Sequence, residues 1–228
     1  MAACKSGEFL LSCEPILKKI NIAPSAVVRD GAHYVGFESG DKAPEPLKAG
    51  IIAAGEGSRL KSEGITQPKP LVAVKGVPLI ERLIHSYIRF GISEIVCIVN
   101  ESSLDVKRFV EAKHFPVPVT FVVKTTPSSM HSLFALAPHL AGGRFLLSTV
   151  DSVFNEEEFA GFLEYGGARE SADGVLAVTN FVDDENPLYV QLDASRKILA
   201  FGRTDRPPVP QEPSWVTGGL YVLSPRIF

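Results

Sequence analysis

The sequence predicts an α/β fold of three layers, with helices on both faces of a mainly parallel mixed sheet and a β-richer C-terminal part. Two observations carry the layered part. From residue 49 onward, apolar runs of strand length alternate with amphipathic stretches of helical period. The strand-like runs are also nearly unbroken in their hydrophobicity, as strands are when a sheet is covered on both faces. A third observation sets off the later part: from about residue 175 the helical signals thin out and strand-like runs follow one another.

The elements can be read in order. "KAGIIAA" (48–54) is a buried strand, with residues 50–54 as its centre. "PLIERLIHSYIRFG" (78–91) is an amphipathic helix with Leu79, Leu83, Ile84, Tyr87 and Ile88 on one face, and Gly91 stands where helices end on a left-handed residue. "EIVCIVN" (94–100) is the next strand, "SLDVKRFVEA" (103–112) a helix and "VTFVVK" (119–124) a strand. "SSMHSLFALAPHL" (128–140) is a helix that Pro138 interrupts or ends, and "RFLLSTV" (144–150) is a buried strand. "NEEEFAGFLEYG" (155–166) places acids in the first turn of a helix, where the macrodipole favours them. The β-rich part holds "GVLAVTNF", "LYVQLD", "KILAFG" and "GGLYVLS".

Ahead of this domain (49–228) lie an N-terminal extension (1–37) and a linker (38–48) that mixes charge with Pro44 and Pro46. In the extension, Ile22, Val28 and Tyr34 recur every six residues, as do Ala26 and Ala32. That period matches about two rungs of a hexapeptide β-helix, fewer than such repeats need to bury a core, so an extended arm competes with it.

Composition narrows the function classes. The formal charge is −3, from 23 basic and 26 acidic residues, so no extended cationic field is present and neither nucleic acid nor an anionic membrane is the expected partner. Cys4, Cys13 and Cys97 are too scattered for a disulfide framework or a metal cluster, which fits a cytoplasmic protein. No run approaches the roughly 18 apolar residues of a membrane span, and no secretory leader is expected.

The chemistry gathers around "IIAAGEGSRL" (51–60). In a doubly wound sheet, ligands sit off the carboxyl ends of the strands, so a loop of Gly55, Glu56, Gly57 and Ser58 after the first strand faces the crevice. Gly55 and Gly57 have no Cβ, so the backbone can take positive φ there and let its N–H groups approach a phosphate closely. Arg59 adds a forked cation. By itself this motif also fits a plain strand-to-helix turn. Ten positions later, "QPKPLVAVKG" sets Lys69 between two prolines, on backbone expected to be rigid and extended rather than helical. Asp151, directly after the strand "FLLSTV", is a carboxylate at the same sheet edge, suited to a hard divalent cation; the competing reading is a cap or turn acid ahead of "NEEEF".

A-A-G-x-G-S-R-L followed by P-K-P-L resembles the signature of the sugar-1-phosphate nucleotidyltransferases, the NDP-sugar pyrophosphorylases. The ten-residue interval between Arg59 and Lys69 is similar to that of the hexose-1-phosphate guanylyl- and thymidylyltransferases. The likeness runs from about residue 49 to the C-terminus and includes "ADGVLAVT" and "GGLYVLSPRIF". It implies a Rossmann-like fold and transfer of a nucleoside monophosphate from an NTP to a sugar-1-phosphate, releasing pyrophosphate. Arg59 and Lys69 are then the catalytic cations, and Asp151 the Mg2+ ligand. Ala53, Ala54, Thr126 and Ser129 would join the glycine loop in holding the nucleotide, and Asn186, Thr217 and Gly218 would read the sugar. Two positions depart from the common pattern: Val150 stands where many relatives have glycine, which bears on access to the metal, and Thr126 falls where several carry glutamine.

Base, sugar and oligomeric state stay open at this level, a homo-oligomer being compatible with the family. His131 could touch base or ribose, although a histidine in a helix's first turns is more often structural. The proline-rich "RTDRPPVPQEP" (203–213) is expected to be a mobile surface connection. "SPRIF" reads as the first turn of a helix capped by Ser224, and a second metal-binding acid or asparagine normally follows in the family. A shortened chain is therefore expected. The alternatives are a non-catalytic nucleotide-sugar-binding regulatory homologue, a nucleotidyltransferase of molybdenum-cofactor type, and a glycosyltransferase. Presence of both cations, "GGLYVLSPRIF" and P-K-P-L argue against them in turn.

Overall fold

The computed structural model describes residues 46–55, 64, 66–181, 187–202 and 214–228. The hexapeptide-like arm, most of the linker, Glu56, Gly57, Ser58, Arg59, Asn186 and the 203–213 connection lie outside the described residues. The chain forms two compact units. One comprises 46–151, 169–175 and 221–228, and the other holds the described residues of 152–168 and 176–220.

The first unit carries the parallel sheet. Strand β1 (Lys48–Ala53) is followed by the two-residue hairpin strands β2 (Ala73–Val74) and β3 (Val77–Pro78), helix α1 (Leu79–Arg89) and strand β4 (Glu94–Val99). Then come α2 (Leu104–Glu111), β5 (Val119–Val123), α3 (Ser129–Leu140) and β6 (Phe145–Thr149). The strands lie in the order β5-β4-β1-β6. All three ladders are parallel, with Ala53 opposite Val99, Val99 opposite Val123 and Ile52 opposite Thr149. Every carboxyl end therefore faces the same edge.

Side-chain alternation explains the layers. Val96, Ile98, Phe145 and Leu147 point to one face, where they bury Leu133, Leu136 and Leu140 of α3. Ser148 points to the other, the side of the buried Tyr87 of α1. Each fully buried leucine of α3 contributes roughly 1.5–3 kcal/mol by leaving water. Gly50 lets that helix close on the sheet, because a Cβ there would stand 2.9 Å from Leu140 Cδ1 and 3.1 Å from Leu147 Cδ1. Among the described residues no helix is long and apolar enough to cross a membrane.

Local signals resolve as follows. Gly91 takes φ +80° after α1, the left-handed exit that the sequence predicts. Helix α3 does not end at Pro138 but runs on to Leu140. The only carbonyl that Pro138 deprives of an i+4 partner is that of Phe134, on the half-exposed side of the helix. "SPRIF" forms a 3₁₀ turn (Pro225–Ile227) instead of the first turn of an α-helix, with the Ser224 side chain accepting from the Arg226 N–H. Phe228 stacks on Phe145 with ring centroids 5.4 Å apart, which ties this turn to the core of the unit.

The second unit includes helix α4 (Glu156–Ala168) and the strands β8 (Tyr189–Leu192) and β9 (Ile198–Gly202), which pair antiparallel. Strand β10 (Trp215–Leu223) pairs antiparallel with β8 through Trp215 and Val216, and β7 (Gly174–Thr179) pairs with β10. This is the β-richer part that the sequence predicts. Helix α4 is capped by Asn155, whose Oδ1 accepts from the Glu157 and Glu158 N–H groups at 2.8 and 3.3 Å. The cap role that competed for Asp151 is thus taken by another residue.

Candidate active site

A polar or small residue stands within two positions after each parallel strand, and the carboxyl edge is built from these. β1 delivers Ala53, buried, then Ala54 and Gly55. β4 delivers Asn100, only 4% exposed, whose Nδ2 donates to the Ala54 carbonyl at 3.2 Å and whose Oδ1 accepts from the Ser102 hydroxyl at 2.9 Å. β5 delivers Lys124, whose N–H donates to the Val99 carbonyl, and Thr125, whose hydroxyl donates to Glu101 at 3.1 Å. β6 delivers Val150, whose N–H donates to the Ile52 carbonyl, and then Asp151. Sequence reasoning passed over Asn100. Its signal is a buried polar residue closing the apolar run "EIVCIV" at the edge where Asp151 closes "FLLSTV".

Asn100 fixes the exit of β1. Removing it leaves the Ala54 carbonyl and Ser102 hydroxyl to find other partners, so Asn100→Ala is expected to cost about 1–2 kcal/mol in urea unfolding. Equal urea midpoints for the variant and the parent would show that water replaces the amide without loss.

At the centre of the edge, the Lys69 ammonium donates to Asp151 Oδ2 at 2.5 Å, across 82 residues of sequence. The two side chains are 33% and 24% exposed, so the pair is open to solvent on one side. Lys69 reaches it from a 3₁₀ turn (Lys69–Leu71), not from the extended backbone expected of "QPKPL". One tight turn is compatible with flanking prolines because its bonds, Leu71 N–H to Pro68 and Val72 N–H to Lys69, use no proline N–H. Burial pushes the Asp151 carboxyl up. The charge and hydrogen bond of Lys69, with hydrogen bonds from Thr149 and from its own backbone N–H, outweigh it and hold the group below the usual carboxylate range. Asp151 is therefore an anion with one cationic partner among the described residues.

Val150 does not close the site. Its side chain is buried at 5% exposure while the Asp151 carboxylate beyond it stays accessible. The donor set suits Mg2+, which takes one or two protein carboxylates and completes its shell with phosphate and water oxygens. Among the described residues no three histidine, cysteine or acidic groups cluster as a complete metal cage.

Other expectations fare differently. Gly55 does not use the freedom to take positive φ, and a Cβ there would meet nothing within 4 Å among the described residues. Among the described residues, packing therefore does not demand glycine at 55. The Thr126 hydroxyl lies 2.6 Å from the Ser132 hydroxyl, and Ser129 is exposed in the first turn of α3. The cap of that helix is Ser128, which accepts from the His131 N–H and lies 2.9 Å from His131 Nδ1, so His131 serves the helix start. In the second unit the Thr217 N–H donates to the Leu188 carbonyl, and a Cβ on Gly218 would stand 3.4 Å from the Ala177 carbonyl. The left-handed glycine of β10 is its neighbour Gly219, at φ +79°.

Comparison with known proteins identifies the family. The chain is 28% identical over 187 residues to the mannose-1-phosphate guanyltransferase of Schizosaccharomyces pombe, a match covering 79% of this chain and 50% of that protein. It thus spans about half the length of that relative. It is 24% identical to the UTP–glucose-1-phosphate uridylyltransferase of Haloferax volcanii, over 80% of this chain and 74% of the other. The inositol-1-phosphate CTP transferase from T. maritima shares the fold, with a TM-score of 0.66 at 21% identity over 80% of this chain and 72% of that one. The family model for the MobA-like NTP transferase domain matches residues 49–207, from β1 through the glycine loop, Lys69 and Asp151 into the β-rich part, and the chain belongs to that family.

Proposed function

We propose that the protein transfers a nucleoside monophosphate from an NTP to a sugar-1-phosphate, releasing pyrophosphate and forming an NDP-sugar. The observation that carries this reading is the Lys69–Asp151 pair, one cation and one anion at the carboxyl edge beside the exit of β1. Transfer of this kind needs little covalent machinery. A sugar-1-phosphate is mostly dianionic at neutral pH, its second pKa being about 6, and it attacks the α-phosphorus without a general base. Catalysis then consists of holding two anions in line and neutralising charge as pyrophosphate departs.

In this scheme Lys69 serves the α-phosphate and the incoming sugar phosphate. Arg59 and the amides of Gly55, Glu56, Gly57 and Ser58 serve the pyrophosphate. Asp151 holds Mg2+, which when bound neutralises phosphate oxygens. Ala53, Ala54, Thr126 and Ser129 face the nucleoside, and Asn186, Thr217 and Gly218 read the acceptor. The relatives named above act, by their names, with different bases and acceptors, so one cross-panel decides the substrate class. The four common NTPs and dTTP, each with Mg2+, are crossed with mannose-, glucose-, N-acetylglucosamine- and inositol-1-phosphate, and pyrophosphate release is followed. One NTP–sugar pair is expected to stand well above the rest. If no pair exceeds the background of a Lys69→Ala control, the reading fails; a best rate with inositol-1-phosphate would move the acceptor to polyols.

A further inference from the structure

Asp151 faces two demands that compete with one another. As the proposed metal ligand it must present an oxygen to a divalent cation, yet Oδ2 already accepts from the Lys69 ammonium at 2.5 Å. The same carboxylate also accepts from Thr149 and from its own backbone N–H. A carboxylate has about four lone-pair sites, so these donors leave room for a further partner, but a second cation there meets the charge of the ammonium already on Oδ2. A divalent ion held by this carboxylate would meet the charge of the ammonium, with two cations sharing one anion. Among the described residues Lys69 forms its ion pair with Asp151 and with no second carboxylate.

Lys69 is also built to leave. It stands on a single 3₁₀ turn, its side chain is one-third exposed, and a lysine stem has four rotatable bonds that let the ammonium swing without backbone movement. Its new partner in the reaction would be a phosphate, which arrives with the nucleotide and not with the metal.

We propose that Lys69 is a placeholder cation on Asp151, weakening the binding of divalent metal until a nucleotide draws the ammonium onto its phosphates and frees the carboxylate. This inference rests on the metal role of Asp151 in the function proposed above, and it adds an order of assembly. Metal and nucleotide enter together, because each removes the obstacle to the other. Bare metal is opposed by a tethered charge that needs no concentration to compete. By linkage, whatever weakens the ammonium's hold on Asp151 must strengthen binding of bare metal.

A gain of affinity on removal of a side chain is a result that a merely structural lysine would not produce. The probe is Mn2+ alone, without nucleotide, followed by the electron paramagnetic resonance signal of the free ion. Lys69→Met, which keeps the stem and removes the charge, is expected to bind Mn2+ about fivefold or more tightly than the parent, a change of about 1 kcal/mol. Lys69→Arg keeps the charge and should stay as weak as the parent. Asp151→Asn introduced into Lys69→Met should abolish the gain. Circular dichroism checks folding, and Lys69→Gln replaces Lys69→Met should the latter fail to fold. Equal or weaker Mn2+ binding by the charge-removed variant, with binding still lost in Asp151→Asn, overturns the placeholder role while leaving the metal site in place. A gain that survives Asp151→Asn overturns both, since the ion would then be held elsewhere.

Discussion

Lys69→Ala is expected to slow nucleotidyl transfer by about 10²–10³-fold in kcat/KM, most of it in kcat, while the protein stays folded. The size follows from its proposed role. An ammonium aimed at a phosphate whose charge is redistributing acts like one donor of an oxyanion hole, and losing such a donor costs about 3–4 kcal/mol. The stability cost is modest because the part-buried Lys69–Asp151 pair keeps solvent on one side, where an Asp151 left alone can still be hydrated. Steady-state kinetics on the best substrate pair, with a thermal melt of each protein, separates the two effects. A kcat/KM within threefold of the parent would remove Lys69 from the reaction. A large loss of melting temperature would recast it as a structural lysine. Because Lys69 and Asp151 touch, their double variant should lose less than the sum of the single losses.

That pairing could not be read from the chain. Sequence spacing placed Lys69 ten residues after Arg59 and put Asp151 at a strand end, but the 82 residues between the two say nothing of their distance. What was legible was periodicity: nearly unbroken apolar runs became the parallel strands, and the helices of 3.6 period fell where the pattern set them. Gly91 was legible because a left-handed helix exit admits few residues. The misreadings have one physical source, that local propensity leaves room which tertiary contacts then use. "QPKPL" excluded a long helix but not one 3₁₀ turn, and Pro138 cost α3 a hydrogen bond without ending it, since Leu136 and Leu140 remained buried on either side. Asn100 was missed because an asparagine at a strand end reads as a turn residue until its amide is seen to hold the neighbouring strand.

Asp151→Asn is expected to raise the Mg2+ concentration needed for half-maximal turnover at least about tenfold and to lower the maximal rate by about 10²-fold or more, since a neutral amide is a poor ligand for a hard cation. The substitution keeps the shape of the side chain, so the surroundings of Val150 and Ser152, both buried, need not move. It should have the opposite effect on nucleotide alone. The carboxylate is an anion held below the usual range by Lys69, and an incoming triphosphate must displace that lysine and approach that charge. With asparagine in its place the repulsion is gone and the ammonium is released, so NTP binding in the presence of a chelator is expected to be unchanged or tighter. Titration calorimetry of each protein with the preferred NTP, in Mg2+ and in chelator, gives both numbers. The role assigned to Asp151 requires the two to diverge; parallel losses in metal-dependent and metal-free binding would mean that the residue shapes the site without holding a metal.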